Sequence, residues 1–303
     1  MIELQDERLH PAGEHPRWSE SFYFNFYDAA TGTSGLTRLG VRPHEGVVEG
    51  GWLVFLGGTK VAIQQLTTDL DGENALAAGP TQLRCDEPMT AWRLTSNGQA
   101  LVVDLAEPEA MSGADLEVDL AFTATLPPEA IGKTLGQAFG GIGHYDQVGA
   151  YHGMLRVGDQ RCDIAGLGQR DHTWGVRDWR APEQWQFFSV VFEPAVALCA
   201  SRIVLADGDL RGGWWAQGDR TTALNNVDVN TTWAADGIVP EHVALQLIDE
   251  HGDALALTGE ILCPVPIPME GGATRIVESL TRFHLGEHVG YGISEHLCQV
   301  AQP

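Results

Sequence analysis

The 303 residues carry 41 Asp and Glu against 18 Lys and Arg, a formal net charge of −23, and 44% of them are hydrophobic, with 9 Trp and 10 Phe. So acidic a chain repels phosphate backbones and anionic lipid surfaces, which argues against nucleic-acid and membrane partners. No stretch reaches the roughly 18 apolar residues of a membrane span, and the N-terminus MIELQDERLHPAGEHPRW lacks an apolar leader, so a cytoplasmic location is expected.

At about 150 residues per domain, the length predicts two domains or one large β domain. Helical periodicity is scarce. The one helix-like window, 128–138, is weakened by Gly132 and Gly136. Short runs of alternating or β-branched apolar residues fill the rest: 22–27, 52–63, 101–105, 116–126, 186–192, 198–205, 242–248 and 254–262. Runs of this length, bounded by Gly, Pro, Asp and Asn, read as strands, and the pattern predicts an all-β protein of sandwiches or barrels with few short helices. A weak repeat sharpens this. Residues 21–52 and 184–214 each open on an aromatic strand, pass a turn and a second strand carrying an Arg, and close on Gly-Gly-Trp. Two related β domains follow from it. The junction is expected near 158–168, giving domains 1–165 and 166–303, with the RDHTWG run in the second.

The five cysteines are dispersed, with neither CxxC spacing nor a Cys/His cluster, so reduced thiols and no metal site are expected. His284 and His288 lie four apart, but Gly286 and strand-like flanks point to exposed side chains. Gly57-Gly58-Thr59-Lys60 lacks the spacing of a phosphate loop.

Chemistry concentrates in 166–185, GLGQRDHTWGVRDWRAPEQW. Charged residues interleave there with Trp174, Trp179 and Trp185, and tryptophan favours pockets and interfaces. On an extended run Asp171 and Thr173 share one face, while Arg170, His172 and Trp174 share the other. A nearby Arg would lower the pKa of Asp171 and an apolar wall would raise it, which makes Asp171 a candidate general acid or base. An Arg–Asp pair that only anchors the junction is the competing reading.

The run G-x-G-x-R-D-H-x-W-G-x-R-x-W resembles the characteristic segment of the lipocalin-like AttH and carotenoid hydratase (hydroxyneurosporene synthase) superfamily, especially its uncharacterised bacterial branch. Gly143-His144-Tyr145-Asp146-Gln147-Val148-Gly149 and Gly290-Tyr291-Gly292-Ile293-Ser294-Glu295-His296 extend the likeness. The resemblance implies two calycin-like β domains and a ligand cavity reached from their interface. It also implies chemistry that needs neither a metal nor an organic cofactor. In the hydratases the Asp of the D-H motif protonates the alkene, which maps to Asp171. Those enzymes carry a Tyr shortly before it, whereas Gln169-Arg170 stand here. That departure suits a more polar or acidic substrate, or a structural Asp.

The expected function is therefore a cofactor-independent lyase or isomerase of hydratase, dehydratase or cyclase type. Its substrate would be a hydrophobic small molecule such as a terpenoid. Asp171 would act as general acid/base, with His172 or Tyr145 orienting an oxygen. Arg170, Arg177, Gln147, Trp174, Trp179, Trp185, Trp52 and Glu295 would line the substrate site. Glu295 is expected to pair with Arg170 or Arg177, with Glu278 and Arg282 in the same network. The alternatives are a lipocalin-like binding protein without chemistry and a pericyclic, Diels-Alderase-like cyclase. A monomer or homodimer is expected.

Overall fold

The computed structural model describes residues 2–72, 76–130 and 141–300, with the side chains of 141 and 142 left aside. Most of the helix-like window therefore lies outside the described residues. What is described is almost entirely antiparallel β-structure, in two compact units divided between Arg177 and Asp178.

The first unit holds β1 (Trp18–Asp28), β2 (Thr33–Arg42), β3 (Val47–Gly57), β4 (Lys60–Asp69), β5 (Ala77–Ala78), β6 (Thr81–Glu87), β7 (Ala91–Asp104), β8 (Met111–Ala124), β9 (Gly141–Val157) and β10 (Gln160–Val176). They form one sheet in the order β4-β3-β2-β1-β10-β9-β8-β7-β6-β5. β4 also pairs with β7, from Lys60↔Asp104 to Ile63↔Leu101, which brings eight of these strands round into a ring. Closure pairs the β4 edge, one of the edges that would otherwise template aggregation, while β6 and the two-residue β5 branch off β7. The second unit is a closed barrel of β11 (Gln184–Glu193), β12 (Val196–Leu205), β13 (Gly208–Gln217), β14 (Arg220–Trp233), β15 (Pro240–Asp249), β16 (Ala254–Met269), β17 (Thr274–Leu285) and β18 (His288–Gln299).

Alternation of side chains decides what each interior contains. In the first unit Phe22, Phe24 and Phe26 of β1 point inward, onto Leu39, Trp52, Trp92, Phe122 and Tyr151. In the second, Phe188, Val190, Leu198, Val227, Leu245, Leu257 and Phe283 fill the barrel. Each fully buried side chain of this size is worth about 1.5–3 kcal/mol.

The repeat is structural. β1-β2-β3 and β11-β12-β13 are equivalent three-strand meanders, and both Gly-Gly-Trp runs lie in the third strand. Gly51 (φ 152°) and Gly213 (φ 154°) approach a neighbouring backbone so closely that a Cβ would lie 1.9 Å from the Gln64 carbonyl oxygen and 2.1 Å from that of Cys199. Trp52 and Trp214, which follow them, are core residues at 2% exposure.

Three expectations change. The run 52–63 is two strands joined by a turn at Gly57-Gly58, where φ is 97° and 58°. The junction lies later than 165, because β10 continues unbroken to Val176 along both β1 and β9. RDHTWG is consequently the end of the first unit. Arg282 pairs with Glu260 on the neighbouring strand.

Candidate functional site

The last stretch of β10 carries different chemistry on its two faces. Arg170, His172 and Trp174 face the barrel interior, while Asp171 and Thr173 face outward, as the alternation requires.

Inside, Arg170 is fully buried. Its Nη1 donates to Glu7 Oε1 at 2.7 Å and its Nη2 to Glu7 Oε2 at 2.9 Å, a bidentate pair. Its Nε and Nη2 also donate to Gln147 Oε1, at 2.9 and 2.6 Å. The guanidinium packs over the rings of Trp92, Phe122 and Tyr145 at 5.3–5.7 Å. Glu7 belongs to a short 3-10 turn, Leu4–Glu7, and further accepts from Trp92 Nε1 at 3.0 Å and Tyr145 Oη at 3.2 Å. Burial pushes the Tyr145 hydroxyl well above its ordinary pKa, so it stays a neutral donor. A chain strap from Glu3 to His10 is thus tied into the first barrel.

Beside it, Glu20 of β1 accepts from His172 Nε2 at 2.8 Å and contacts His10 Nδ1 at 2.9 Å, both through Oε1. Its Oε2 takes the His10 backbone N–H at 2.9 Å. The His10 ring stacks on Trp174 at 4.1 Å and the His172 ring on Phe22 at 3.9 Å. Burial pushes the pKa of His172 down.

Outside, register aligns Arg38 of β2, Tyr23 of β1, Asp171 of β10 and Asp146 of β9 in one row across four strands. The adjoining row holds Ser21, Thr173 and His144. Asp171 Oδ1 accepts from Thr173 Oγ1 at 3.2 Å, Thr173 Oγ1 meets His144 Nδ1 at 2.6 Å, and His144 Nε2 meets Asp146 Oδ1 at 3.2 Å. Two carboxylates, a hydroxyl and an imidazole therefore form one connected set. Burial pushes the Asp171 carboxyl up to about 6; Asp146 adds to the rise, while His144, Arg177 and Arg38 pull against it. For His144 burial acts downward, but Asp146 and Asp171 outweigh it and hold its pKa above the ordinary value. Asp146 is 1% exposed and Ser21 4% although both face outward.

These placements sort the expected residues. Asp171 does not share a face with His172 or Tyr145, which lie in the interior, so neither can orient an oxygen beside it. His144, Thr173 and Asp146 occupy that position instead. Arg170 is not the arginine that tunes Asp171; Arg177 and Arg38 are. Arg170 pairs with Glu7, and Gln147 supports it, so the expected pairing of Arg170 with Glu295 is replaced. Glu295 lies on β18, opposite Phe187 and Glu278. Trp174 belongs to the first unit, in the cluster with Trp18 and Tyr145. Trp179 and Trp185 belong to the second, stacked on each other at 5.5 Å, and Trp185 Nε1 donates to Ser201 Oγ at 3.1 Å. The sequence reading missed Glu7 and Glu20, whose partners Arg170 and His172 lie 163 and 152 positions away, and His10, which joins them through Glu20. It passed over His144 and Asp146 too, though their i, i+2 spacing on a strand places them on one face.

A separate open groove of about 350 Å³ lies on the outside of the second barrel, lined by residues including Asn230, Thr232, His242, Glu260 and His284.

Known structures share this architecture at low identity. An AttH-like protein of Nitrosomonas europaea superposes with a TM-score of 0.65 at 13% identity, over 95% of each chain. Kievitone hydratase of Nectria haematococca gives 0.62 at 12%, over 93% of this chain and 89% of that one. CghA bound to Sch210972 gives 0.60 at 9%, over 94% and 89%. Identities this low establish the fold, which is the one the sequence resemblance implied. No curated protein matches the sequence. The model of the domain of unknown function DUF7064 matches residues 3–300, and the chain belongs to that family.

Proposed function

We propose that this protein is an enzyme of hydratase, dehydratase or isomerase type that protonates an alkene-bearing hydrophobic small molecule, with Asp171 as the proton donor. The observation that carries the reading is the in-register pair Asp171–Asp146, linked through Thr173 and His144. Burial raises the Asp171 carboxyl to about 6, which brings it near the range in which a side chain can both give up and take back a proton. In the hydration direction the Asp171 O–H bond breaks and a C–H bond forms. A water oxygen then bonds to the cationic carbon, and that water's surplus proton returns to the Asp171 carboxylate. His144 and Thr173 hold the pair in place, and Arg38 at the end of the row offers a charge for a polar group of the substrate. Two of the structurally similar proteins support the class: one is a hydratase by name, and CghA binds a small organic molecule, Sch210972.

The test is incubation of the protein with a panel of terpenoid, polyketide and prenylated aromatic alkenes, with mass spectrometry reading gain or loss of one water or formation of an isomer. Asp171→Asn is expected to lower turnover about 10²–10⁴-fold, the usual worth of a placed general acid. Undiminished turnover by that variant overturns the assignment. Tight binding of panel members with no conversion supports a carrier instead.

A further inference from the structure

We propose that His10, Glu20 and His172 form a binding site for a zinc ion, which fastens the N-terminal strap to the first barrel. The three residues each present one ligand atom, and these atoms lie within 4.8 Å of one another. Two of the separations are 2.9 Å (His10 Nδ1 to Glu20 Oε1) and 2.8 Å (His172 Nε2 to Glu20 Oε1). Zinc bonds of about 2.0–2.2 Å put neighbouring ligand atoms about 2.9 Å apart at right angles and about 3.4 Å apart in a tetrahedron. Both separations are close to these spacings, and the third, between His10 and His172, is within 4.8 Å.

The donor set selects the class of metal. Two imidazoles and one carboxylate suit zinc and its transition-metal neighbours, whereas calcium and magnesium require mostly oxygen ligands. Three protein ligands leave a coordination position free. His10 is the ligand in reach of solvent, at 20% exposure, while the side chains of Glu20 and His172 are at 2% and 0%.

The surroundings hold the ligands in place. The ring of His10 stacks on Trp174, and Asp6 Oδ1 lies 3.5 Å from His10 Nε2, a charge contact without a hydrogen bond. A carboxylate behind a ligating histidine is the usual outer support of such sites. Glu20 is oriented by the backbone N–H of His10, and His172 by the ring of Phe22. Arg170, whose charge acts on His172, is already neutralised by Glu7. The site is distinct from the Asp171 row, since β10 turns His172 inward and Asp171 outward.

Metal-stripped full-length protein is titrated with cobalt(II), read by its visible ligand-field absorption, and then with zinc(II) in competition. The expected result is one equivalent per chain and a higher melting temperature with zinc. His10→Ala, at the accessible edge, and Glu20→Gln, an isostere, should each weaken affinity at least tenfold. His284→Ala, an exposed histidine outside the site, should leave it unchanged. The proposal is overturned if stoichiometric binding is absent, or if it persists undiminished in folded His10→Ala or Glu20→Gln. The three side chains then form a metal-free hydrogen-bonded clasp.

Discussion

The two β-units open with the same three-strand meander but fill their interiors differently. The second barrel encloses an apolar cluster of Phe, Val and Leu. The first places Glu7, Glu20, Gln147, Arg170 and His172 among its aromatics, all at 2% exposure or less. One scaffold thus supports a core built around aliphatic and Phe side chains and one built around a buried, paired set of charges. The second kind is less forgiving, because a buried ion that loses its partner keeps its desolvation cost.

The largest test of that contrast is Arg170→Met, which strands Glu7 in an aromatic interior. It should destabilise the first unit by about 3–5 kcal/mol in urea unfolding, with the second unit's transition unmoved. Replacing both partners, Glu7→Gln with Arg170→Met, should recover a substantial part of the loss. Equal damage from the single and double variants would contradict the role given to the charge.

The second barrel buries polar side chains too, among them Glu278, Thr281, Ser294 and His296. His296 is 2% exposed, its Nε2 meets Thr231 Oγ1 at 3.2 Å, and burial lowers its pKa from 6.5 to about 4. The unfolded chain takes up a proton below pH 6.5, whereas the folded barrel resists until about 4. The stability this histidine permits is therefore complete above 6.5 and declines as pH falls toward 4, by about 3 kcal/mol in all. His296→Gln should flatten that decline, measured as unfolding free energy against pH; an unchanged slope would assign it to other groups.

The smallest effect tests what the barrels share. Gly51→Ala and Gly213→Ala each force a Cβ toward a carbonyl oxygen at a positive φ. Each should cost about 1–3 kcal/mol, by similar amounts in the two units. A cost confined to one of them would mark the repeat as a likeness of sequence without common packing.

Much of this was legible beforehand, for reasons tied to particular residues. Aromatic alternation at Phe22, Phe24 and Phe26 announces an inward face, and the two Gly-Gly-Trp runs announce equivalent strands. The opposed faces of Asp171 and His172 follow from a period of two. What stayed hidden depends on pairing across the chain. Arg170 and Asp171 are adjacent in sequence, which suggests mutual tuning, yet the pleat turns them apart. The partner of Arg170 is Glu7, in a charged N-terminal stretch that carries no strand pattern. The junction expected near 158–168 falls inside β10, because the length and the repeat do not reveal that this strand is paired on both sides, with β1 and β9.

The order of strands in the first ring also bears on how the chain is made. β1 lies between β2 and β10, and Glu7 and Arg170 are 163 residues apart. At about 5–20 residues per second of synthesis, the earliest strand waits roughly 8–30 s for its second neighbour. Throughout that time the β1-β4 meander carries an open edge, and its aromatic face has no opposite wall. Birth on the ribosome is therefore the moment of greatest exposure for this protein, and the strap that precedes β1 is among the last pieces to be seated.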